Sequence, residues 1–180
     1  MNAISVKNLN KVFTYYEKKE GFQHSLKNLL VRKQKTKEAV KNISFDIDSG
    51  DIIGFLGPNG AGKTTTLKML SGILYPTSGE VHVLGYCPWK RQKEFKMKYS
   101  MVLGQKSQLW PDLPASETFR LNQYIYEVDE RKCKMLLDEL TEYLDVKHLL
   151  NVQVRRLSLG ERMKLELIAS LIHSPQLIFL

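Results

Sequence analysis

GPNGAGKTTT, residues 57–66, follows the apolar run IIGFL at residues 52–56. Ten residues rich in glycine, proline and small side chains bury little apolar surface, so packing does not explain them. The first eight, Gly57, Pro58, Asn59, Gly60, Ala61, Gly62, Lys63 and Thr64, fit the pattern G-x-x-x-x-G-K-[ST] in full. Each residue type has a physical role there. Glycines let backbone N–H groups converge on an anion without a Cβ in the way. A helix opening near Lys63 directs the positive end of its dipole to the same point. Lys63 supplies an ammonium for β- and γ-phosphates, Thr64 a hydroxyl for Mg²⁺, and Thr65 continues the first helical turn. This stretch predicts a strand, a phosphate-cradling loop and a helix.

Working outward, residues 4–6 read as a strand that extends toward Phe13, and residues 40–47 alternate as a second one. Residues 52–56 have the length and composition of a buried strand. A helix is expected from the end of the loop through Leu67, Met69 and Leu70, stopping near Gly72. Strands are expected over residues 80–84, 99–103 and 177–180, and helices over 116–126, 130–144 and 161–173. Strands alternating with helices predict an α/β fold, with residues 107–156 as a helical subdomain. Residues 15–38 are a basic insertion. Within it Phe22, Leu26, Leu29 and Leu30 recur at helical spacing, and packing on its own domain is the favoured reading of that stripe.

The 180 residues are 43% hydrophobic, enough for one domain's core. No apolar run is long enough to span a bilayer, and the N-terminus lacks the apolar centre of a signal peptide. A cytoplasmic location is the resulting expectation. Cys87 and Cys133 are read as reduced thiols, and the four histidines show no ligand spacing. The net charge of +8 concentrates at residues 17–38 and 90–98, each +4. Neither stretch interleaves aromatics with its cations, so solvated surface is favoured over nucleic acid as a partner.

A second motif narrows the class. Leu157, Ser158, Leu159, Gly160 and Glu161 open a predicted helix about a hundred residues after the loop. Together with the loop they resemble the L-S-G-G-Q signature of ABC-type ATPases. Val102-Leu103-Gly104-Gln105 has the form of the strand that ends in that family's Q-loop glutamine. The order and spacing agree, and the resemblance covers nearly the whole chain. GQKSQLW with SLGERMK is most similar to a bacterial, exporter-like subgroup of ATP-binding subunits.

The resemblance implies a P-loop NTPase-type parallel-sheet core with an antiparallel N-terminal β region and a helical subdomain. It implies ATP and Mg²⁺ as ligands. Phe13 stands where an aromatic stacks on adenine; Tyr15 and Tyr16 are the alternatives, and a core position is the other reading of Phe13. Gln105 would meet Mg²⁺ or the attacking water, with Gln108 as a nearby competitor. Ser158 and Gly160 would serve the nucleotide of a second ATP-binding subunit in a head-to-tail dimer. A transmembrane permease subunit would be the other partner, placing the chain peripherally on the inner face of the cell membrane. Two departures stand out: Leu159 and Glu161 replace a glycine and a glutamine. Leu159 adds bulk, and Glu161 adds a charge that suits the helix dipole but repels a γ-phosphate unless it points away.

Hydrolysis in this family uses an acidic pair at the end of an apolar strand. The chain stops at Leu180, where the first acid is expected, so a sequence lacking its C-terminal part is inferred. Glu166 and the Asp138/Glu139 pair sit on predicted helices and substitute poorly, and His173 precedes the strand and cannot be the family's switch histidine. The literal alternative is a non-catalytic nucleotide-binding remnant. A GTPase is disfavoured by the lack of N-K-x-D, and a repair or translation ATPase by the short helical stretch and single cassette.

Overall fold

The computed structural model describes residues 2–16, 34–102 and 107–180. The insertion stripe at Phe22, Leu26, Leu29 and Leu30, and Gln105, lie outside the described residues. The chain forms two compact units, Met1–Arg91 and Gln92–Leu180.

The first unit is built on a three-stranded antiparallel sheet. Strand β1 (Asn2–Tyr16) lies between β2 (Gln34–Asp48) and β3 (Ser78–Val83). Ile4 and Val6 alternate inward and are buried with Val81 and Val83 of β3. A strict alternation would leave Leu9 facing out. A register shift between Val6 and Leu9, with Asn8 at φ 49°, turns Leu9 back into the core. Gly79 of β3 lies against that bulge: a Cβ there would sit 2.4 Å from the Asn8 carbonyl oxygen. The hairpin runs further than its alternation suggests, to Tyr16 opposite Gln34. Helix α1 (Lys63–Leu70) closes the unit by burying Thr66, Met69 and Leu70, one face at i, i+3 and i+4.

Residues 52–56 form no strand, which corrects the sequence expectation. Ile52 is 100% exposed and Leu56 96%. A strand needs a neighbour for its backbone N–H and C=O groups, and none of the described strands pairs with this run. Phe55 alone turns inward, edge-on to Phe45 with ring centroids 5.8 Å apart.

The second unit pairs β4 (Tyr99–Met101) with β5 (Leu177–Phe179) in parallel, Ser100 opposite Ile178. Helix α2 (Lys93–Lys96) precedes this pair in the chain, and α3 (Ala115–Ile125), α4 (Glu130–Tyr143) and α5 (Leu159–Leu171) fall between its strands. Helix α5 buries Leu165, Ile168 and Ala169, and Ile172 just beyond it continues the stripe. These four pack with Ala115 and Phe119 of α3, Cys133 of α4, and Val146, Val154 and Leu157. The architecture is α/β: an antiparallel sheet, a parallel pair and helices. Among the described residues no helix is long and apolar enough to cross a membrane.

Candidate functional site

The loop at residues 57–62 is held by few bonds of its own. Ala61 N–H donates to Pro58 O at 3.2 Å, and Gly57, Gly60 and Gly62 have φ of 152°, 87° and 90°. Gly62 is the N-cap of α1, in the left-handed region and with no side chain to bond the first turn. The first intrahelical bond runs from Thr66 N–H to Gly62 O at 2.8 Å. The N–H groups of Lys63, Thr64 and Thr65 precede it and have no intrahelical partner. Gly62 is also pressed against β2: a Cβ would lie 2.3 Å from Ala39 O and 3.1 Å from Val40 Cγ2.

A cavity of about 310 Å³ opens at this helix end. Residues 59–65 line one side, and Phe13, Lys37 and Ala39 of the hairpin line the other. Eight of the ten residues proposed from sequence for ATP are therefore gathered here. The other two, Gly57 and Pro58, offer their carbonyl oxygens to Lys63 Nζ at 2.6 and 3.0 Å. Phe13 is 38% exposed, which replaces the core reading, and Lys11 Nζ lies 5.1 Å from its ring centroid. Tyr15 and Tyr16 are exposed and do not line the cavity. Lys37 and Ala39 are the lining residues that sequence reasoning missed; their link to the cavity runs through hairpin register.

The 157–161 segment belongs to the second unit. Leu157 is buried in its core. Ser158 is the N-cap of α5 and forms a capping box: its Oγ accepts from Glu161 N–H at 3.3 Å, and Glu161 Oε2 accepts from Ser158 N–H at 2.8 Å. Ser158 Oγ also donates to Glu161 Oε2 at 2.8 Å. The Ser158 hydroxyl and then its N–H hold the Glu161 carboxyl below its ordinary value near 4.5. Glu161 thus turns back onto the cap. Leu159 is 68% exposed, and among the described residues no atom outside the adjoining stretch of α5 lies within 4 Å of where a Cβ on Gly160 would sit.

Other candidates have structural partners. Gln108 Nε2 donates to Met101 O at 2.8 Å. Asp138 pairs with Lys147 at 3.2 Å, and Glu166 is buried on α5. His173 stacks on Tyr126 with centroids 3.8 Å apart, and one ring nitrogen lies 3.3 Å from Tyr99 O. Burial pushes the His173 pKa below its ordinary value, outweighing the Tyr99 carbonyl. The basic run at residues 90–98 divides: Arg91 Nε donates to Gly72 O at 3.1 Å behind α1, and Lys93 pairs with Glu127 at 2.6 Å. Cys87 and Cys133 are free thiols.

A family model described as ABC transporter matches residues 40–180. The chain is 35% identical over 178 residues to the cholesterol transporter ABCA5 of Mus musculus, covering 99% of this chain and 10% of that protein. It is 31% identical over 146 residues to the ABC transporter ATP-binding protein NatA of Bacillus subtilis strain 168, covering 81% and 59%. Its fold matches CbiO1 of Clostridium perfringens, part of the ABC transporter complex CbiONQ, with a TM-score of 0.73 and 19% identity over 98% of this chain and 64% of that one. The chain spans less than two thirds of each of these three proteins.

Proposed function

The chain belongs to the ABC transporter family, and from that premise we propose that it binds MgATP as a nucleotide-binding subunit of a transporter that couples ATP hydrolysis to transport. The observation that carries this reading is the open N-terminus of α1, uncapped by any side chain and set in a cavity with Lys63, Thr64 and Thr65. The donor set suits a triphosphate: backbone N–H groups, ammonium groups and hydroxyls, with no carboxylate among the described residues that line the cavity. Lys63 would exchange the Gly57 and Pro58 carbonyls for β- and γ-phosphate oxygens, and Phe13 would stack on the base. Thr64 and Gln105 would hold Mg²⁺, which supplies charge neutralisation at the β- and γ-oxygens when bound.

Ser158 and Gly160, flanked by Leu157, Leu159 and Glu161, are proposed to meet the nucleotide of a second ATP-binding subunit in a head-to-tail dimer. The open space beside Gly160 supports this, because among the described residues no packed neighbour accounts for a glycine there. A transmembrane permease is the proposed second partner, with the chain peripheral on the inner face of the membrane. The membership of CbiO1 in a transporter complex supports that assignment.

Equilibrium binding of a fluorescent ATP analogue tests the cradle. Lys63→Ala is expected to weaken binding more than a hundredfold, about 3 kcal/mol. Affinity within threefold of the parent chain would end the assignment.

A further inference from the structure

We propose that Lys37 is a second cation of the nucleotide cavity and meets the α-phosphate, at the nucleoside end. This rests on the reading of the cavity as an ATP site and adds a residue that the loop motif does not contain. Three observations lead to it. Lys37 stands directly opposite Phe13 in the β1–β2 register, so the two side chains share one face of the hairpin. Both line the cavity, across from residues 59–65. Among the described residues the Lys37 ammonium has no hydrogen-bond or ion-pair partner, whereas that of Lys63 is turned back on two carbonyls of its own loop.

Lys37 is also tied in position. Ala39, two residues further along β2 at the bulge between Glu38 and Val40 and itself a lining residue of the cavity, sets its carbonyl oxygen 2.3 Å from where a Gly62 Cβ would sit, a distance that admits no side chain. Two residues of strand span about 7 Å. The ammonium therefore rides on a strand clamped to the phosphate loop, a short step from the helix N-terminus. Lys63 and the dipole of α1 serve the far phosphates. Lys11, over the Phe13 ring, does not line the cavity. Among the lining residues that leaves Lys37 as the cation beside the aromatic ring, where a base-stacked nucleotide carries its first phosphate.

The test uses the full chain and displacement of a fluorescent ATP analogue by ATP, AMP and adenosine. Lys37→Ala is expected to weaken ATP and AMP each about tenfold, the size of one charge-assisted hydrogen bond. Adenosine should stay within twofold, and Lys37→Arg should restore most of the loss. Circular dichroism melts check that the hairpin variant folds. If ATP and AMP bind the Ala variant as they bind the parent while Lys63→Ala abolishes ATP binding, the inference about Lys37 fails and the cradle stands. If adenosine weakens as much as AMP, Lys37 contacts the nucleoside and the α-phosphate assignment is overturned. If Lys63→Ala is also silent, the nucleotide reading falls and takes this inference with it.

Discussion

Helices α1 and α5 both begin on small residues, and their first turns end up in opposite states. Gly62 caps α1 with nothing but backbone, so the N–H groups of Lys63, Thr64 and Thr65 have no cap partner, and all three residues line the cavity. At α5, Ser158 and Glu161 spend their polar atoms on each other, with three hydrogen bonds between two residues. Both helices carry the same dipole per turn, so the dipole does not separate them. The cap does. An open helix end remains available to an outside anion, and a boxed one already holds a carboxylate of its own. On the proposed reading, the Ser158 hydroxyl must leave Glu161 before it can reach a partner's phosphate, an exchange that Lys63 also makes with its two carbonyls.

Substitution at the two caps should separate these states. Gly62→Ala is expected to have the largest effect. Its φ of 90° and the Ala39 carbonyl oxygen, 2.3 Å from where a Cβ would sit, leave no room for a methyl group. Stability should fall by about 2 kcal/mol in urea denaturation, and ATP affinity more than tenfold. Ser158→Ala should cost about 1 kcal/mol by the same denaturation measurement, as expected for a lost N-cap, with ATP affinity at the cradle unchanged. Glu161→Gln should lose less than Ser158→Ala, because an amide oxygen still accepts from the Ser158 N–H. A Ser158→Ala chain that loses ATP binding as fully as Gly62→Ala would break the distinction.

The smallest expected effect is a pH dependence from His173. Its folded pKa lies below the ordinary value near 6.5. The fold therefore favours the neutral ring, and this contribution is complete above pH 6.5. Below that, the unfolded chain takes up the proton more readily, so stability declines as pH falls toward the folded pKa. Thermal melts at pH 7.5 and 5.5 should show a drop in Tm that is smaller in His173→Gln. An equal drop in both chains would remove His173 from the account.

Much of this was legible in the sequence because the signals are local. The loop pattern, the helix after it, and the helix predicted over residues 161–173 each depend on residues a few positions apart. The missed features depend on distant partners. Residues 52–56 have a strand's composition, but composition does not supply a neighbouring strand. The basic run at 90–98 reads as a patch by counting, yet Arg91 answers to Gly72 and Lys93 to Glu127, 34 residues away. Lys37 looked like one more cation of the insertion until hairpin register set it against Phe13. Ser158 and Glu161 were both singled out, but in the structure they bond each other across the three-residue spacing of a capping box.

The bare side chains of Ile52 and Leu56 have a practical consequence for handling this chain. Two large aliphatic groups lie exposed within five residues, and the apolar surface they offer is expected to favour association between copies as concentration rises. Light scattering should show the chain clustering at high concentration, and Ile52→Lys with Leu56→Glu should keep it dispersed without touching the cavity.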